Sequence, residues 1–485
     1  MRLSARARIR PGAARPAYDP ERCGAGIVHL GLGAFHKAHQ AVYTDDALAA
    51  AGGDWRVIGV SLRSAEAAAA LTPQDGRYTL VERGPDGPRA RVIGAIARAV
   101  AESREHGETL KALSDPAIRI ISLTVTEKAY GIARAAGGVD PTHPAVAADL
   151  AAPRAPEGAI GLIVEGLRRR REAGAAPFAA LCCDNLPDNG AMLRGGVVDF
   201  ARRIDPDLAA WIEGEVAFPS TMVDRITPAA TGATRDDAAR LTGCADLAAV
   251  EAEPFRQWVI EDAFTGPRPL WEAGGALFVA DVAPYERMKL RMLNGAHSML
   301  AYAGFLCGKR HVREVMADRA LSALVGRHLT AAAATLAPLP GMDFASYGAA
   351  LETRFRNPAL GHETRQIAMD GTEKLPQRLF EPAAETLAQG GDHGAFAFAT
   401  ALWMRYCLGR TDQGETYPLN DPREAEIAAA AAGPAPAEIG AALHALPGLF
   451  PARLREDPGW KTSVADALAE MLNLGVEEAV RRRAG

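Results

Sequence analysis

The stretch Tyr285-Glu286-Arg287-Met288-Lys289-Leu290-Arg291-Met292-Leu293-Asn294-Gly295-Ala296-His297-Ser298 gathers the side chains best suited to chemistry. On a helix turning about 100° per residue, His297 lies about 80° and Asn294 about 140° around from Lys289. A lysine, an amide and an imidazole could then converge on one pocket, the lysine moving protons. Leu290 and Leu293 share that arc, while Met288, Met292, Met299 and Leu300 occupy the other side. The helix is thus apolar nearly all round, which predicts burial. Polar groups on a buried helix are either satisfied or functional. The alternative to a proton-transfer set is a lysine reaching solvent, with Asn294 and His297 bonded to backbone.

A second candidate is the turn Gly31-Leu32-Gly33-Ala34-Phe35-His36, which follows an apolar run and opens a helical one. Glycines there allow a tight turn and close approach of backbone N–H groups to a pyrophosphate, with Ala34 and Phe35 beside it. His36 stands where the usual fingerprint has its third glycine. An ordinary strand–helix turn is the competing reading. About thirty residues on, Arg63 and Glu66 follow the second strand. Glu66 suits the hydroxyls of an adenosine ribose and so NAD, whereas Arg63 suits the 2′-phosphate of NADP; NAD is the expected cofactor. Thr126 and Glu127 end another strand, where such sheets bind ligand. His39 is expected to pack beneath the turn, and Asp224-Arg225 reads either as an ion pair or as part of a site.

The elements that must position these residues change character along the chain. GIVHLGLGAF, WRVIGVSL, IRIISLTV and FAALCCDN read as buried strands, with AHQAVYTDDALAAAG and IGLIVEGLRRRREAG as helices between them. That alternation predicts an α/β, mainly parallel, doubly wound sheet of Rossmann type. Beyond Pro284 strand signals fade into Ala/Leu-periodic runs, so a mostly α-helical second domain is expected, with domains at 1–283 and 284–485. Pro/Gly-rich loops are expected at Gly137–Glu157 and Gly433–Ala437.

At 485 residues, more than one core is required. A net charge of −5 gives no reason to expect a nucleic-acid or membrane partner. The basic start has no apolar segment and reads as a loose tail rather than a secretory signal. Six cysteines without CxxC spacing suit a reducing, cytoplasmic setting and argue against zinc; Cys182 and Cys183 read as buried strand thiols. No metal is expected. The oligomeric expectation is a monomer or weak homo-oligomer.

Seven blocks, in order, carry a resemblance: GLGAFHKAHQ at Gly31, LTVTEKAYG at Leu123, CDNLPDNG at Cys183, FPSTMVDRITP at Phe218, EPFRQWVIED at Glu253, YERMKLRMLNGAHS at Tyr285 and QIAMDGTEKLPQR at Gln366. From about Gly26 to about Pro422 the chain resembles the polyol-specific long-chain dehydrogenase/reductase family, the mannitol dehydrogenase family. The resemblance implies a Rossmann-type NAD-binding domain, a helical substrate domain and metal-free catalysis. It places Lys289 as general acid/base, Asn294 and Asn185 as carbonyl-polarising amides and His297 as the substrate-orienting imidazole. Glu286 falls on a carboxylate that helps protons reach solvent, and Asp224 becomes a candidate substrate contact.

These types fit secondary-alcohol oxidation, in which a proton leaves oxygen while a hydride leaves carbon. A lysine takes that proton near neutrality only if its pKa falls well below about 10.4; burial favours this and a charged Glu286 opposes it. Each amide donor to the developing alkoxide is worth roughly 3 kcal/mol.

Within the family, QIAMDGTEKLPQR and RMLNGAHS resemble the mannonate branch more than the mannitol branch. Lys374, Arg378 and Arg365 are the cations that could meet a uronate carboxylate; surface pairing with Glu363 or Glu373 is the competing reading, above all for Arg365. The expected substrate is a sugar acid, D-fructuronate/D-mannonate, ahead of fructose/D-mannitol. A non-catalytic nucleotide sensor is a remote alternative, opposed by the intact Lys289, Asn294, His297 and Asn185.

Overall fold

Runs of Val, Ile and Leu that are apolar on both faces build the centre of the first unit. β1 (Ala25–Leu30), β2 (Arg56–Ser61), β6 (Ile120–Leu123) and β9 (Ala179–Cys182) are buried along most or all of their length. They join β5 (Ile96–Ala101) in one parallel sheet of order β5-β2-β1-β6-β9. The order reverses direction between β1 and β6, which opens a crevice at their carboxyl ends. The computed structural model describes residues 1–105, 107–126, 129–133, 137–359 and 361–484, and the chain divides into Met1–Ala283 and Pro284–Gly485.

Strands that mix polar with apolar residues lie outside that sheet. β3 (Tyr78–Gly84) and β4 (Gly87–Ile93) form an antiparallel hairpin turning through Pro85 and Asp86, and β11 (Val250–Ala252) runs parallel to β3. β10 (Thr221–Asp224), β12 (Gln257–Glu261) and β13 (Leu277–Val279) form a third sheet. A two-residue ladder joins β7 (Ile132–Ala133) to β8 (Gly138–Val139). Two expectations need correction. The stretch expected as a loop at Gly137–Glu157 contains β8 and a helix, Pro144–Ala151, started by proline at its first position. The N-terminal tail is docked rather than loose: Leu3 is fully buried with Val92 and Cys244, and Arg2 and Ala14 bridge to Ala245 and Arg91.

The second unit contains no extended strand among its described residues and is built of helices. Its central helix runs Ala283–Met288, widens into a π turn at Lys289–Asn294 and continues as Gly295–Leu306. The expectation of uniform α-helical spacing is thereby corrected. An i→i+5 turn inserts one residue and brings Lys289 and Asn294, five apart, onto one face instead of about 140° apart. A second π turn, Pro376–Phe380, interrupts the helices Gly371–Leu375 and Glu381–Ala388. Pro376 lacks the N–H that an α turn requires there, which gives this widening its cause. The two π turns pack together. A side chain at Gly295 would put its Cβ 3.0 Å from the Arg378 carbonyl and 3.2 Å from His328 Nε2, so the contact needs glycine.

Candidate active site

In the first unit the glycine turn sits at the carboxyl end of β1. Gly31 has φ +96°, and a Cβ there would lie 2.1 Å from the Thr124 carbonyl oxygen; only glycine passes. Gly31 N–H and Leu32 N–H both donate to the Val60 carbonyl, at 2.9 and 3.1 Å, which ties the turn to β2. A Cβ at Gly33 would meet only the Gly31 carbonyl, at 3.7 Å, so open space remains beside the turn. Ala34 and half-buried Phe35 begin the helix Ala34–Ala38. Such a turn, open at the crevice of the sheet, fits a dinucleotide. Glu66 starts the helix Glu66–Leu71 after β2, exposed to solvent, and Arg63 is exposed nearby.

Beyond β6, Thr126 holds φ +73°, a strained conformation for a β-branched residue. Glu127 lies outside the described residues. Asp184 accepts from Val125 N–H at 2.9 Å and from the Tyr130 hydroxyl at 2.7 Å, fastening the segments after β6 and β9 to each other. Asn185 follows it and is exposed. Asp224 is buried at the end of β10, while Arg225 forms its ion pair with Glu82, at 2.6 Å, and donates to the Ala38 and Glu253 carbonyls. His39 lies under the turn as expected, 2.9 Å from the Gln257 carbonyl and stacked on Phe35.

Several residues here escaped sequence reasoning. Lys37 is buried, donates to the Ala248 carbonyl at 2.9 Å and has its pKa lowered to about 8 by burial. His29, Ser122, Thr124 and Gln40 form a hydrogen-bonded network beneath the turn. The available signal was a lone histidine inside the apolar run Ile27-Val28-His29-Leu30.

In the second unit Lys289 is 7% exposed, and Glu286 is half-buried one helical turn before it. His297 packs against Phe355, with ring centroids 4.5 Å apart, and edge-on to His362 at 5.9 Å. Burial first, then His362, Arg354 and Arg378, keep the His297 pKa well below the ordinary histidine range, so the ring is neutral. Its Nε2 is buried with no hydrogen-bond partner, which leaves an acceptor or donor for a ligand.

The cation candidates behave differently. Lys374 donates to the Met369 carbonyl at 2.7 Å and pairs with Asp370 at 3.4 Å. Among the described residues Arg378 donates to neutral acceptors, Ser298 Oγ at 3.1 Å and, more distantly, the Asn294 carbonyl at 3.5 Å. It makes no ion pair among the described residues, and burial lowers its pKa to about 10. Arg365 is exposed, and the Glu363 expected to pair with it pairs with Arg310 instead. No cluster of three metal-ligating side chains occurs among the described residues, and no helix is long and apolar enough to cross a membrane.

Comparison with known proteins accounts for both units. Residues 25–273 match the mannitol dehydrogenase Rossmann domain, and residues 281–472 the mannitol dehydrogenase C-terminal domain. The D-mannonate oxidoreductase of Escherichia coli (strain K12) is 42% identical over 472 residues, 96% of this chain and 97% of that protein. A mannitol 2-dehydrogenase of Cereibacter sphaeroides is 42% identical over 412 residues, 84% of this chain and 86% of its own. The solved Pseudomonas fluorescens mannitol 2-dehydrogenase, a ternary complex with NAD and D-mannitol, superimposes with TM-score 0.85 at 35% identity, covering 100% of this chain and 99% of that one. A glycine turn open at the crevice of a parallel sheet, a helical unit carrying a buried lysine, and relatives spanning both lead to one assignment: the chain belongs to the mannitol dehydrogenase family of oxidoreductases, acting on polyols or sugar acids with a nicotinamide cofactor.

Proposed function

We propose that the chain is a cytoplasmic, NAD-dependent fructuronate reductase, interconverting D-fructuronate and D-mannonate without a metal. The observation that carries the sugar-acid reading is Arg378, a half-buried guanidinium without a carboxylate partner among the described residues, against the helix that bears Lys289. Burying a charge without a counterion is costly, and an anionic substrate supplies the missing partner. The near-full-length likeness to D-mannonate oxidoreductase supports the same reading. The equal identity of the Cereibacter sphaeroides mannitol 2-dehydrogenase favours fructose/D-mannitol as the second reading.

The cofactor, held by Gly31, Gly33, Ala34, Phe35 and Glu66 with Thr126 and Glu127, supplies a hydride when bound in its reduced form. The chain's own residues do the remaining work. Lys289 as ammonium gives its proton to the ketone oxygen, and as amine takes it back in the oxidation direction. Asn294 and Asn185 donate amide N–H groups to the oxygen as negative charge develops on it. The π turn supports this pairing on the helix, since it puts Lys289 and Asn294 on one face. Neutral His297 uses its unpartnered Nε2 to hold a substrate hydroxyl, and Glu286 passes protons between Lys289 and solvent. Arg378 takes the carboxylate, with Lys374 and Asp224 as further substrate contacts. The test is NADH oxidation with fructuronate, tagaturonate and fructose, each with and without a chelator. Turnover of fructuronate that survives chelation is expected; activity restored only by added zinc would remove the metal-free mechanism.

A further inference from the structure

The floor of the glycine turn is a buried hydrogen-bonded column. His29 projects from β1 with its Nδ1 2.8 Å from Ser122 Oγ on β6 and its Nε2 2.8 Å from Thr124 Oγ1. Ser122 Oγ lies 2.8 Å from the side-chain amide of Gln40, on the helix Gln40–Ala51. Burial lowers the His29 pKa to about 3, so the ring is neutral. Because the Thr124 hydroxyl donates its proton to the Gly31 carbonyl, the ring carries its own proton on Nε2, where it donates to Thr124 Oγ1, and accepts at Nδ1 from the Ser122 hydroxyl. The Thr124 hydroxyl thus links the ring to the turn, accepting from that Nε2–H and donating to the Gly31 carbonyl at 2.9 Å. His29 Nε2, Thr124 Oγ1 and Gly31 O therefore close a triangle whose third side is 3.2 Å. The same Gly31 carbonyl accepts from Gly33 N–H at 2.6 Å.

The carbonyl held this way belongs to the residue whose φ of +96° sets the direction of the turn. His36, at the third-glycine position, stacks on His29, with ring centroids 3.5 Å apart and planes inclined by 18°. The imidazole fills the space between turn and sheet that close packing over a glycine would otherwise remove. Every member of the column is buried except Thr124, which is half-buried.

We propose that His29, acting through Thr124, is a positioning residue for cofactor binding: the column from Gln40 through Ser122 and His29 to Thr124 fixes the Gly31 peptide in its dinucleotide-binding orientation. It touches neither substrate nor the reacting atoms. This rests on the first unit being the one that binds the nicotinamide cofactor, as its family membership states.

The experiment compares Thr124→Val, which keeps the side-chain volume and removes the hydroxyl, with Thr124→Ser, which keeps the hydroxyl, and with His29→Leu. NADH and NADPH are titrated separately by protein fluorescence, and steady-state kinetics are measured with the preferred form. Losing one buried neutral hydrogen bond corresponds to roughly a three- to tenfold weakening. Thr124→Val and His29→Leu should raise the dissociation constant and the cofactor KM by about that factor, with a smaller change in kcat. Thr124→Ser should restore wild-type affinity. If His29→Leu does not fold, the threonine pair decides alone. An unchanged dissociation constant in Thr124→Val, a Thr124→Ser as impaired as the valine, or a loss confined to kcat each overturns the proposal. Failure of the wild-type protein to bind either nucleotide would instead overturn the cofactor assignment on which it rests.

Discussion

Replacing Arg378 by Met separates stability from specificity in a way the structure makes quantitative. The guanidinium is half-buried, desolvation lowers its pKa from 12.5 to about 10, and its hydrogen bonds go to Ser298 Oγ and the Asn294 carbonyl. Keeping that charge at neutral pH costs the folded state at most about 3 kcal/mol, from 1.36 kcal/mol for each of about 2.5 pH units, and less where solvent reaches the group. Methionine fills a similar elongated volume without the charge and leaves Ser298 and the Asn294 carbonyl each short of one donor, a loss of roughly 1–3 kcal/mol together. The two nearly cancel, so the melting temperature of the ligand-free variant should stay within a few degrees of wild type or rise. Binding is another matter. A charge-assisted contact to the substrate carboxylate contributes roughly 1.5–3 kcal/mol, or about one to two decades in kcat/KM. Fructuronate efficiency should fall by that factor while fructose efficiency changes little. Calorimetry on the free protein and initial rates with both ketoses supply the numbers. A variant that keeps its discrimination, or loses both substrates equally, refutes the role of Arg378.

Three further outcomes follow from the same physics. Lys289→Ala should lower kcat by about two to four decades while NADH affinity stays near wild type; a folded variant turning over at close to the wild-type rate rules out the acid/base assignment. Catalytic efficiency should be higher with NADH than with NADPH, because Glu66 repels a 2′-phosphate, and Glu66→Gln should narrow the gap; a preference for NADPH would hand control to Arg63. Stability should fall steeply in mild acid. His29 and His39 are held neutral by burial, with pKa lowered from 6.5 to about 3. The unfolded chain binds protons at both below about pH 6.5, so the stability present above that value is lost as pH falls, by roughly 3 kcal/mol per ring at about pH 4.5. A melting temperature that is flat between pH 7 and 4.5 would contradict this.

The parts of the fold that were legible from the chain were those where one physical requirement dominated. β1, β2, β6 and β9 are apolar on both faces, and a continuous Val/Ile/Leu run has no other use than the middle of a parallel sheet. β5 belongs to the same sheet but stands at its edge, where Arg98 can face water, so Ile96–Ala101 reads as irregular. β3 and β4 mix polar and apolar residues and depend on register rather than composition. Gly31 could be identified because no side chain fits beside the Thr124 carbonyl, whereas His29 and Thr124 depend on three segments meeting. The site helix illustrates the opposite limit. Residue types singled out Lys289, Asn294 and His297, but a 3.6-residue period misplaced Asn294, because nothing in Lys289–Asn294 advertises a π turn. Pro376 does mark the second one. Neither could sequence separate the cations: that Lys374 pairs with Asp370 and Arg378 with no acid among the described residues is a fact of packing.

The sugar-acid assignment stands or falls most directly on the ratio of kcat/KM for D-fructuronate to that for D-fructose, measured with saturating NADH on the wild-type protein. A half-buried Arg378 with no carboxylate partner among the described residues predicts a ratio of at least about ten, the lower end of what one charge-assisted contact provides. A ratio at or below unity would place the protein on the mannitol side of its family and leave Arg378 as a structural residue.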